Sequence, residues 1–212
     1  MDFFEISVYE NRQGRMVVEP NFIVTESEDL MIRDGAFVAV WDEARGLWST
    51  NEMDVVDFVD QKVWEVAETV EGNPIVHTMR DYKSKMWSQY QQYVRTMNTK
   101  THELDSTIIF ANQTTTKRDY ATKKLPYALG HGDYSSWDKI VGTLYSPEER
   151  LKIEWAIGAI VAGDSKFIQK FLVFYGPSGT GKSTILNAIS KLFEGYTTSF
   201  DAKSLGSNSN SF

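Results

Sequence analysis

Alternating apolar and polar residues in the first quarter of the chain predict two β-hairpins. In the first hairpin, Phe4, Ile6 and Val8 alternate with polar residues, and the chain returns through 16–18. We expect the returning strand to end at Pro20, because proline has no N–H to donate to a β-ladder.

The second hairpin is predicted from two apolar strands, 35–41 and 47–50, joined by a polar turn at 42–46. Trp41 and Trp48 flank this turn and are expected to pair across the strands. Two tryptophans can also stack a nucleobase. Their acidic surroundings, and the commoner use of tryptophan in cores, favour packing instead.

Two amphipathic helices are predicted next, over residues 53–70 and 80–98. In the first, Asp54, Asp57 and Asp60 lie at three-residue spacing opposite a valine-rich stripe. This arrangement favours a solvated face over a metal site. The stripe comprises Val56, Val59, Val63, Val66, Ala67 and Val70.

In the second helix, aromatic and methionine residues recur at helical spacing among basic residues. The expected packed face comprises Tyr82, Met86, Tyr90, Tyr93 and Met97, with Trp87 and Val94 beside it. Aromatic rings among cations can bind single-stranded nucleic acid, although rings at helical spacing more often form a core. A strand at 107–110 follows, and then a basic loop. The cations of this loop, Lys117, Arg118, Lys123 and Lys124, are expected to be solvated.

A capped helix precedes the most informative motif. Ser146, Pro147 and Glu149 have the spacing of a capping box with proline in the first turn, and the helix is expected to end at Gly163. A shorter helix is predicted before it, at 137–144. The core-facing residues of the capped helix are expected to be Ile153, Ile157, Ile160 and Val161, with Trp155 alongside.

Residues 176–183 match the phosphate-loop pattern G-x-x-x-x-G-K-[ST]. An apolar run at 171–175 precedes the match and is typical of a strand buried on both faces. Apolar residues at helical spacing follow it, from Ile185 to Phe193. Because strand, glycine-rich turn and helix occur in the order that the motif requires, we expect a nucleotide-binding loop. A second strand is expected at 196–200.

The chemistry expected of the loop follows from its residue types. Glycines let successive backbone N–H groups turn towards a phosphate, and the helix adds the positive end of its dipole. Lys182 is expected to contact the β- and γ-phosphates of ATP, and the Ser183 hydroxyl to bind Mg²⁺. The predicted nucleotide-binding residues are Gly176, Pro177, Ser178, Gly179, Thr180, Gly181, Lys182, Ser183 and Thr184, and Lys182 is also the predicted catalytic residue.

Composition excludes several kinds of site. The chain of 212 residues has no cysteine, which rules out disulfides and thiolate metal sites, and its three histidines lack ligand spacing. It has neither a basic leader nor an apolar run of membrane length, so a cytoplasmic protein without a membrane partner is expected.

The formal net charge of −7 is unevenly distributed along the chain. Residues 1–79 carry 5 Lys/Arg against 17 Asp/Glu, whereas residues 80–124 carry 9 against 4. A polyanion such as DNA would therefore meet the middle of the chain rather than its acidic start.

These patterns predict an α+β N-terminal domain of two hairpins plus helices (1–124), a helical connector or collar (125–169), and the truncated start of an α/β P-loop NTPase domain (170–212). The residues after Thr184 contain no apolar strand ending in paired acids, which a working ATPase needs to hold Mg²⁺ and polarise water. We therefore expect a truncated or partial chain, or a split gene, with weak or no ATPase activity of its own.

Residues 105–184 resemble the phage and plasmid primase-helicases, whose C-terminal half is a superfamily III DNA helicase of the AAA+ class, related to the poxvirus primase-helicases. The resemblance rests on the segments 108–112, 124–127, 153–160 and 171–184. It implies a hexameric, ATP-driven helicase that unwinds DNA at replication forks together with other replication proteins, in the host cytoplasm if the chain is phage-encoded.

The resemblance also implies which residues act. The family's phosphate loop corresponds to Gly176, Gly179, Gly181, Lys182, Ser183 and Thr184. Its Walker B acids, sensor and arginine finger have no counterpart here. The sequence also lacks a primase acidic motif and a zinc-binding segment, so any priming role lies in another polypeptide or is absent.

Two other functions remain open from the sequence. The same loop suits transport- or kinase-type NTPases, although those usually carry a β-hairpin domain upstream rather than a capped helix. Alternatively, a truncated product could dock onto a partner or oligomerise through residues 1–124 without catalysis.

Overall fold

The computed structural model describes residues 1–95 and 101–199, apart from the side chains of 82–84 and 165–166. The chain is an α+β protein with two small sheets and several helices, which agrees with the α+β class predicted for residues 1–124. Each helix and strand belongs to one of two compact units.

Unit 1 comprises residues 1–106 and 114–122, and unit 2 comprises residues 107–113 and those from 123 onward. The elements of unit 1, in chain order, are β1 (Phe4–Glu10), β2 (Met16–Phe22), β3 (Leu30–Arg33), β4 (Ala36–Asp42), β5 (Leu47–Ser49), α1 (Glu52–Ala67), β6 (Ile75–Val76), a π-helical turn (Met79–Lys83), α2 (Ser84–Val94) and a 3₁₀ turn (Lys117–Asp119). Those of unit 2 are α3 (Ser135–Leu144), α4 (Pro147–Ala162), α5 (Ser165–Ile168) and α6 (Lys182–Leu192).

The first sheet confirms the first hairpin, with β1 antiparallel to β2, and adds the unpredicted β6 parallel to β2. The prediction that the returning strand ends at Pro20 is wrong, because Pro20 pairs with Ile6 inside β2 and is buried. β6 pairs only with Val17 and Val18. Beside Pro20, the edge of β2 that faces β6 therefore has no partner strand. The N–H that proline lacks would have had no acceptor there, so no ladder hydrogen bond is lost.

The second sheet confirms the second hairpin and its tryptophan pair. β4 and β5 are antiparallel, Trp41 lies opposite Trp48, and their ring centroids are 5.8 Å apart in an edge-to-face arrangement. Both rings are buried, as a core role requires. The sequence did not predict β3, which pairs with β4 and completes a three-stranded meander.

Helix α1 contributes one buried face to the main core of unit 1. Asn51 caps it by accepting a hydrogen bond from the Met53 N–H at 3.2 Å, and Val55, Val59 and Val63 are fully buried. Val56, predicted in the stripe, is only partly buried, because the buried face is rotated towards Val55.

The prediction of a solvated aspartate face is wrong for Asp60, whose exposed fraction is 5%. Its carboxylate accepts a 2.6 Å hydrogen bond from the Met79 N–H and lies 3.8 Å from the Arg80 guanidinium. Asp57 is exposed as predicted and contacts Arg80. Asp60 is buried because the π-helical turn packs on α1 and needs an acceptor for its backbone N–H groups.

The packed face of α2 differs from the predicted one. Trp87, Tyr90 and Val94 are buried, whereas Tyr93 is 62% exposed. The buried face includes Trp87 and Val94, which the prediction placed beside the packed face, rather than Tyr93. The predicted packing of Met97 lies outside the described residues, as does that of the Tyr82 side chain.

In unit 2 the capping box is confirmed. The Ser146 hydroxyl accepts a hydrogen bond from the Glu149 N–H, the Glu149 carboxylate accepts from the Ser146 N–H at 2.8 Å, and α4 ends at Gly163 with a positive φ of 74°. Of the predicted core-facing residues, Ile153 is buried, but Ile160 is 37% exposed.

Three predicted strands are not found. Residues 107–110 form no regular strand, although the Leu125 N–H bonds the Ile109 carbonyl at 2.7 Å. Residues 171–175 are not a strand, and neither are residues 196–199 of the strand predicted at 196–200, whose last residue lies outside the described residues. Most of the apolar run at 171–175 is exposed rather than buried on both faces. Phe171 is 88% exposed and Tyr175 97%. A parallel strand is buried only between neighbouring strands, and the described residues of unit 2 supply none to pair with this run.

Candidate functional site

The segment that matches the phosphate-loop pattern is a turn held open by glycines. Gly176, Gly179 and Gly181 have φ values of 149°, 81° and 78°. These angles lie in the left-handed region that residues with a Cβ rarely adopt. The three glycines singled out from the sequence therefore stand where the backbone conformation favours glycine.

The Lys182 side chain folds back across this turn. Its ammonium donates to the carbonyl oxygens of Gly176 at 2.9 Å and Pro177 at 2.5 Å, and to the Thr180 hydroxyl at 3.1 Å. Thr180 in turn donates to the Pro177 carbonyl at 3.1 Å. One cation thus bridges the start and the end of the loop, so that a positive charge lies inside the turn.

Helix α6 begins at Lys182, directly after the last glycine, and the Ile185 N–H donates to the Gly181 carbonyl at 3.1 Å. The first N–H groups of a helix have no acceptor within the helix, and the helix dipole makes this end partly positive. The ammonium and the helix start therefore favour the same kind of ligand, an anion.

Helices α3 and α4 hold this loop helix in place. Val141, Ile153 and Ile185, one from each of α3, α4 and α6, are buried in a single cluster. Phe174, just before the loop, packs against the same cluster, and its ring centroid lies 6.2 Å from that of Tyr145. The position of the loop thus depends on the helical segment that precedes it.

A cavity of about 280 Å³ adjoins the loop. Its lining includes Tyr145, Lys152, Ile153, Phe174 and Lys182. The Tyr145 hydroxyl oxygen is buried without a hydrogen-bond partner among the described residues. The cavity therefore combines an apolar wall with the loop ammonium at one side.

The cavity also has a polar rim contributed by the start of α4. The hydrogen bonds that Glu149 accepts from the backbone and hydroxyl of Ser146 lower the pKa of its carboxyl group. The hydrogen bond to Glu148 raises the pKa of Lys152. Both side chains are charged at neutral pH and already serve the helix cap or an ion pair.

The structure brings together some of the predicted site residues and leaves others at the surface. Gly176, Pro177, Thr180 and Lys182 are joined by hydrogen bonds, whereas Ser178, Ser183 and Thr184 are exposed. Sequence reasoning missed the wall residue Tyr145. The only signal for it was its position between two predicted helices.

In the described part of the chain, no group of three or more His, Asp or Glu side chains is placed to hold a metal ion. Across residues 1–95 and 101–199, no helix has the length and apolar character needed to cross a bilayer.

Comparison with known proteins adds no relative. No protein-family profile matches the chain, and no curated protein or solved structure shows significant similarity to it.

Proposed function

We propose that this chain binds ATP with Mg²⁺ through residues 176–184, as the ATP-binding portion of a replicative DNA helicase. The observation that carries the proposal is the Lys182 ammonium, which is held inside a turn of three left-handed glycines at the start of a helix. The loop's own oxygens hold the ammonium in the turn, where it can pair with a phosphate group.

The loop would act through charge and backbone donors. The Lys182 ammonium would exchange its carbonyl acceptors for oxygens of the β- and γ-phosphates, which accept more strongly because they are charged. The N–H groups at the start of α6 would complete the anion site. The exposed Ser183 hydroxyl would contact Mg²⁺ that the nucleotide brings, so that no separate protein metal cluster is needed.

The nucleoside part of ATP would lie against the cavity beside the loop. Tyr145, Phe174 and Ile153 give this cavity an apolar wall, and the buried Tyr145 hydroxyl lacks a partner among the described residues. A ligand group that can hydrogen-bond would satisfy that hydroxyl, which otherwise bears a desolvation cost.

One feature supports the helicase among the NTPases. The capped helix α4 packs on the loop helix α6 through Ile153 and Ile185, as expected for a helical collar ahead of the loop. DNA, a homo-hexamer and other replication proteins as partners belong to this proposal.

Titration of the chain with a fluorescent ATP analogue and Mg²⁺ tests the binding step. Lys182→Ala removes a charge-assisted contact and should weaken binding about thirtyfold, which corresponds to about 2 kcal/mol. Lys191→Ala is the matched control, because Lys191 is an exposed lysine on the same helix, away from the loop. Equal affinities for the two variants would refute the role of Lys182.

The helicase part of the proposal needs a second measurement, on the complete gene product. ATP turnover that single-stranded DNA stimulates would support a helicase. DNA-independent turnover that depends on a phosphoacceptor would assign a kinase-type enzyme instead. Stable self-association without any nucleotide binding would assign a docking fragment.

A further inference from the structure

Unit 1 contains a stack of aromatic rings that the nucleotide loop does not use. Tyr120 lies between Trp48 and His102, with centroid distances of 6.2 Å and 4.0 Å and interplanar angles of 23° and 13°. Trp48 in turn contacts Trp41 edge to face. The stack runs outward from two buried tryptophans to an exposed imidazole, so its outermost ring is exposed to solvent.

The middle ring is held in a conformation that a bulky residue rarely adopts. Tyr120 has a φ of 47°, in the left-handed region, where a side chain costs free energy. Its carbonyl accepts from the Asp105 N–H at 2.9 Å, and the Asp105 carboxylate accepts from the Thr122 N–H at 2.7 Å. These bonds fix the position of the ring beside the segment that carries His102.

The inner ring is fixed as well. The Trp48 indole N–H donates to the Lys117 carbonyl at 2.9 Å, and the Trp48 backbone N–H donates to the Ala121 carbonyl at 2.8 Å. The surface that the stack presents is therefore built before any ligand arrives, which reduces the entropic cost of binding.

A cavity of about 630 Å³ opens beside the stack, within the size range of small-ligand sites. Trp48, His102 and Tyr120 line it together with Glu26, Glu28 and Arg118. These three charged residues are exposed. The neighbouring Lys117 is already paired, since its ammonium lies 2.5 Å from the Asp29 carboxylate. The cavity thus presents flat aromatic surface, two carboxylates and one guanidinium.

We propose that this cavity binds the guanine base of a nucleotide. The exposed face of His102 stacks the base, as aromatic rings do for unpaired bases generally. A carboxylate of Glu26 or Glu28 accepts hydrogen bonds from the two adjacent donors of guanine, its ring N–H and its amino group, because an ionised carboxylate only accepts. Arg118 contacts the phosphate.

The carboxylates of Glu26 and Glu28 favour one base over the others, because the bases differ in their hydrogen-bond donors. Adenine and cytosine offer a carboxylate only an amino group, and thymine only a ring N–H, so guanine makes the most hydrogen bonds. Hypoxanthine differs from guanine only by lacking the amino group, which makes its nucleotide a matched probe. The site lies in unit 1 and does not use residues 176–184. Its test is therefore independent of the ATP proposal.

Equilibrium dialysis of the full chain with GMP, IMP and AMP tests the proposal. We expect GMP to bind about tenfold more tightly than IMP, since one hydrogen bond to a charged group is lost. His102→Ala should weaken GMP binding at least about fivefold, and His102→Phe should restore it because a flat ring returns. The double variant Glu26→Gln and Glu28→Gln should abolish the preference for GMP over IMP, whereas the exposed control Glu71→Gln should keep it.

The measurements are repeated in Lys182→Ala, which removes the loop lysine. Unchanged GMP binding there places the ligand in unit 1, and loss of binding there overturns the inference. Equal affinities for GMP and IMP would also overturn it, as would wild-type GMP affinity in His102→Ala or no binding at millimolar nucleotide. Binding of oligo(dG) more tightly than GMP, with oligo(dT) weak, identifies an unpaired guanine in a strand as the source, and the reverse order identifies a free nucleotide.

Discussion

The Leu144 side chain packs against Gly181, in the space that a side chain at this loop position would occupy. A Cβ built on Gly181 would be 2.6 Å from the Leu144 Cδ1 atom, and Gly181 also has a φ of 78°. The left-handed φ favours glycine at this position, and a larger residue would also have to displace the end of the Leu144 side chain.

Gly181→Ala should lower the free energy of unfolding by about 1–2 kcal/mol from backbone strain alone, and further through the contact with Leu144. Adding Leu144→Ala to this variant should relieve the contact but leave the strain. Gly158→Ala is the opposite control, because Gly158 lies within α4 with open space around it and should stabilise the helix by about 0.5–1 kcal/mol. Urea unfolding measures all of them, and a Gly181→Ala variant as stable as the wild type would be incompatible with this geometry.

Asp60→Asn should destabilise unit 1 by about 1–3 kcal/mol, because the buried carboxylate bonds the Met79 N–H and pairs with Arg80. Asp57→Asn makes the same chemical change at an exposed aspartate of the same helix, and should cost at most about 1 kcal/mol. Urea unfolding followed by tryptophan fluorescence compares the two. Equal costs would mean that Asp60 is solvated, as the sequence pattern suggested.

Tyr90→Phe should leave stability near neutral pH unchanged or higher, because the Tyr90 hydroxyl is buried without a partner among the described residues. Burial, and then the charge of Asp2, raise the pKa of Tyr90 to about 12 from 10.0. The folded protein therefore resists ionisation of this phenol. Below pH 10 the phenol is neutral in the folded and the unfolded chain, and its ionisation does not affect stability. As the pH rises from 10 towards 12 the unfolded chain ionises first, and the folded state loses stability.

The alkaline unfolding curve reports this effect. Tyr90→Phe should unfold less readily than the wild type above pH 10, whereas Tyr93→Phe, at an exposed tyrosine on the same helix, is the control. An alkaline transition that Tyr90→Phe leaves in place would show that the buried phenol does not cause it.

The stability of unit 2 should depend on pH in the acid range through Glu154. Hydrogen bonds from the Trp137 indole at 2.9 Å and from Arg150 at 2.8 Å lower the pKa of its carboxyl group below 4.5. A lowered pKa stabilises the fold above pH 4.5, and the contribution disappears as the pH falls through the lower value. Glu154→Gln should therefore be less stable than the wild type near neutral pH and similar to it in acid.

Thermal unfolding at several pH values, followed by circular dichroism, measures the difference. Glu194→Gln, an exposed glutamate of unit 2, shows what the loss of one surface carboxylate does by itself. A Glu154→Gln deficit that persists in acid would indicate a lost contact other than the carboxylate's charge.

Features that depend on neighbouring residues could be predicted from the sequence. The hairpin that pairs Trp41 with Trp48, the Ser146 capping box and the left-handed loop glycines each follow from a few consecutive positions. The same holds for the phosphate-loop pattern, whose lysine the structure holds inside the turn.

Features that depend on contacts between distant parts of the chain could not be predicted from the sequence. Asp60 is buried because a turn some twenty residues later, at Met79, needs its carboxylate. The run at 171–175 has the composition of a buried strand, yet burial requires neighbouring strands that a local pattern does not reveal. The stack of His102 on Tyr120 depends on the left-handed backbone of Tyr120, which a tyrosine in the sequence does not signal.

The central claim is that residues 176–184 bind the phosphates of ATP, and an NMR titration of backbone amides with ATP and Mg²⁺ tests it most directly. We predict that the largest shifts occur at Gly179, Gly181 and residue 182, and that Lys182→Ala needs about thirtyfold more ATP to produce them while Lys191→Ala does not. Shifts confined to unit 1, or none in the loop at saturating ATP, would contradict the claim.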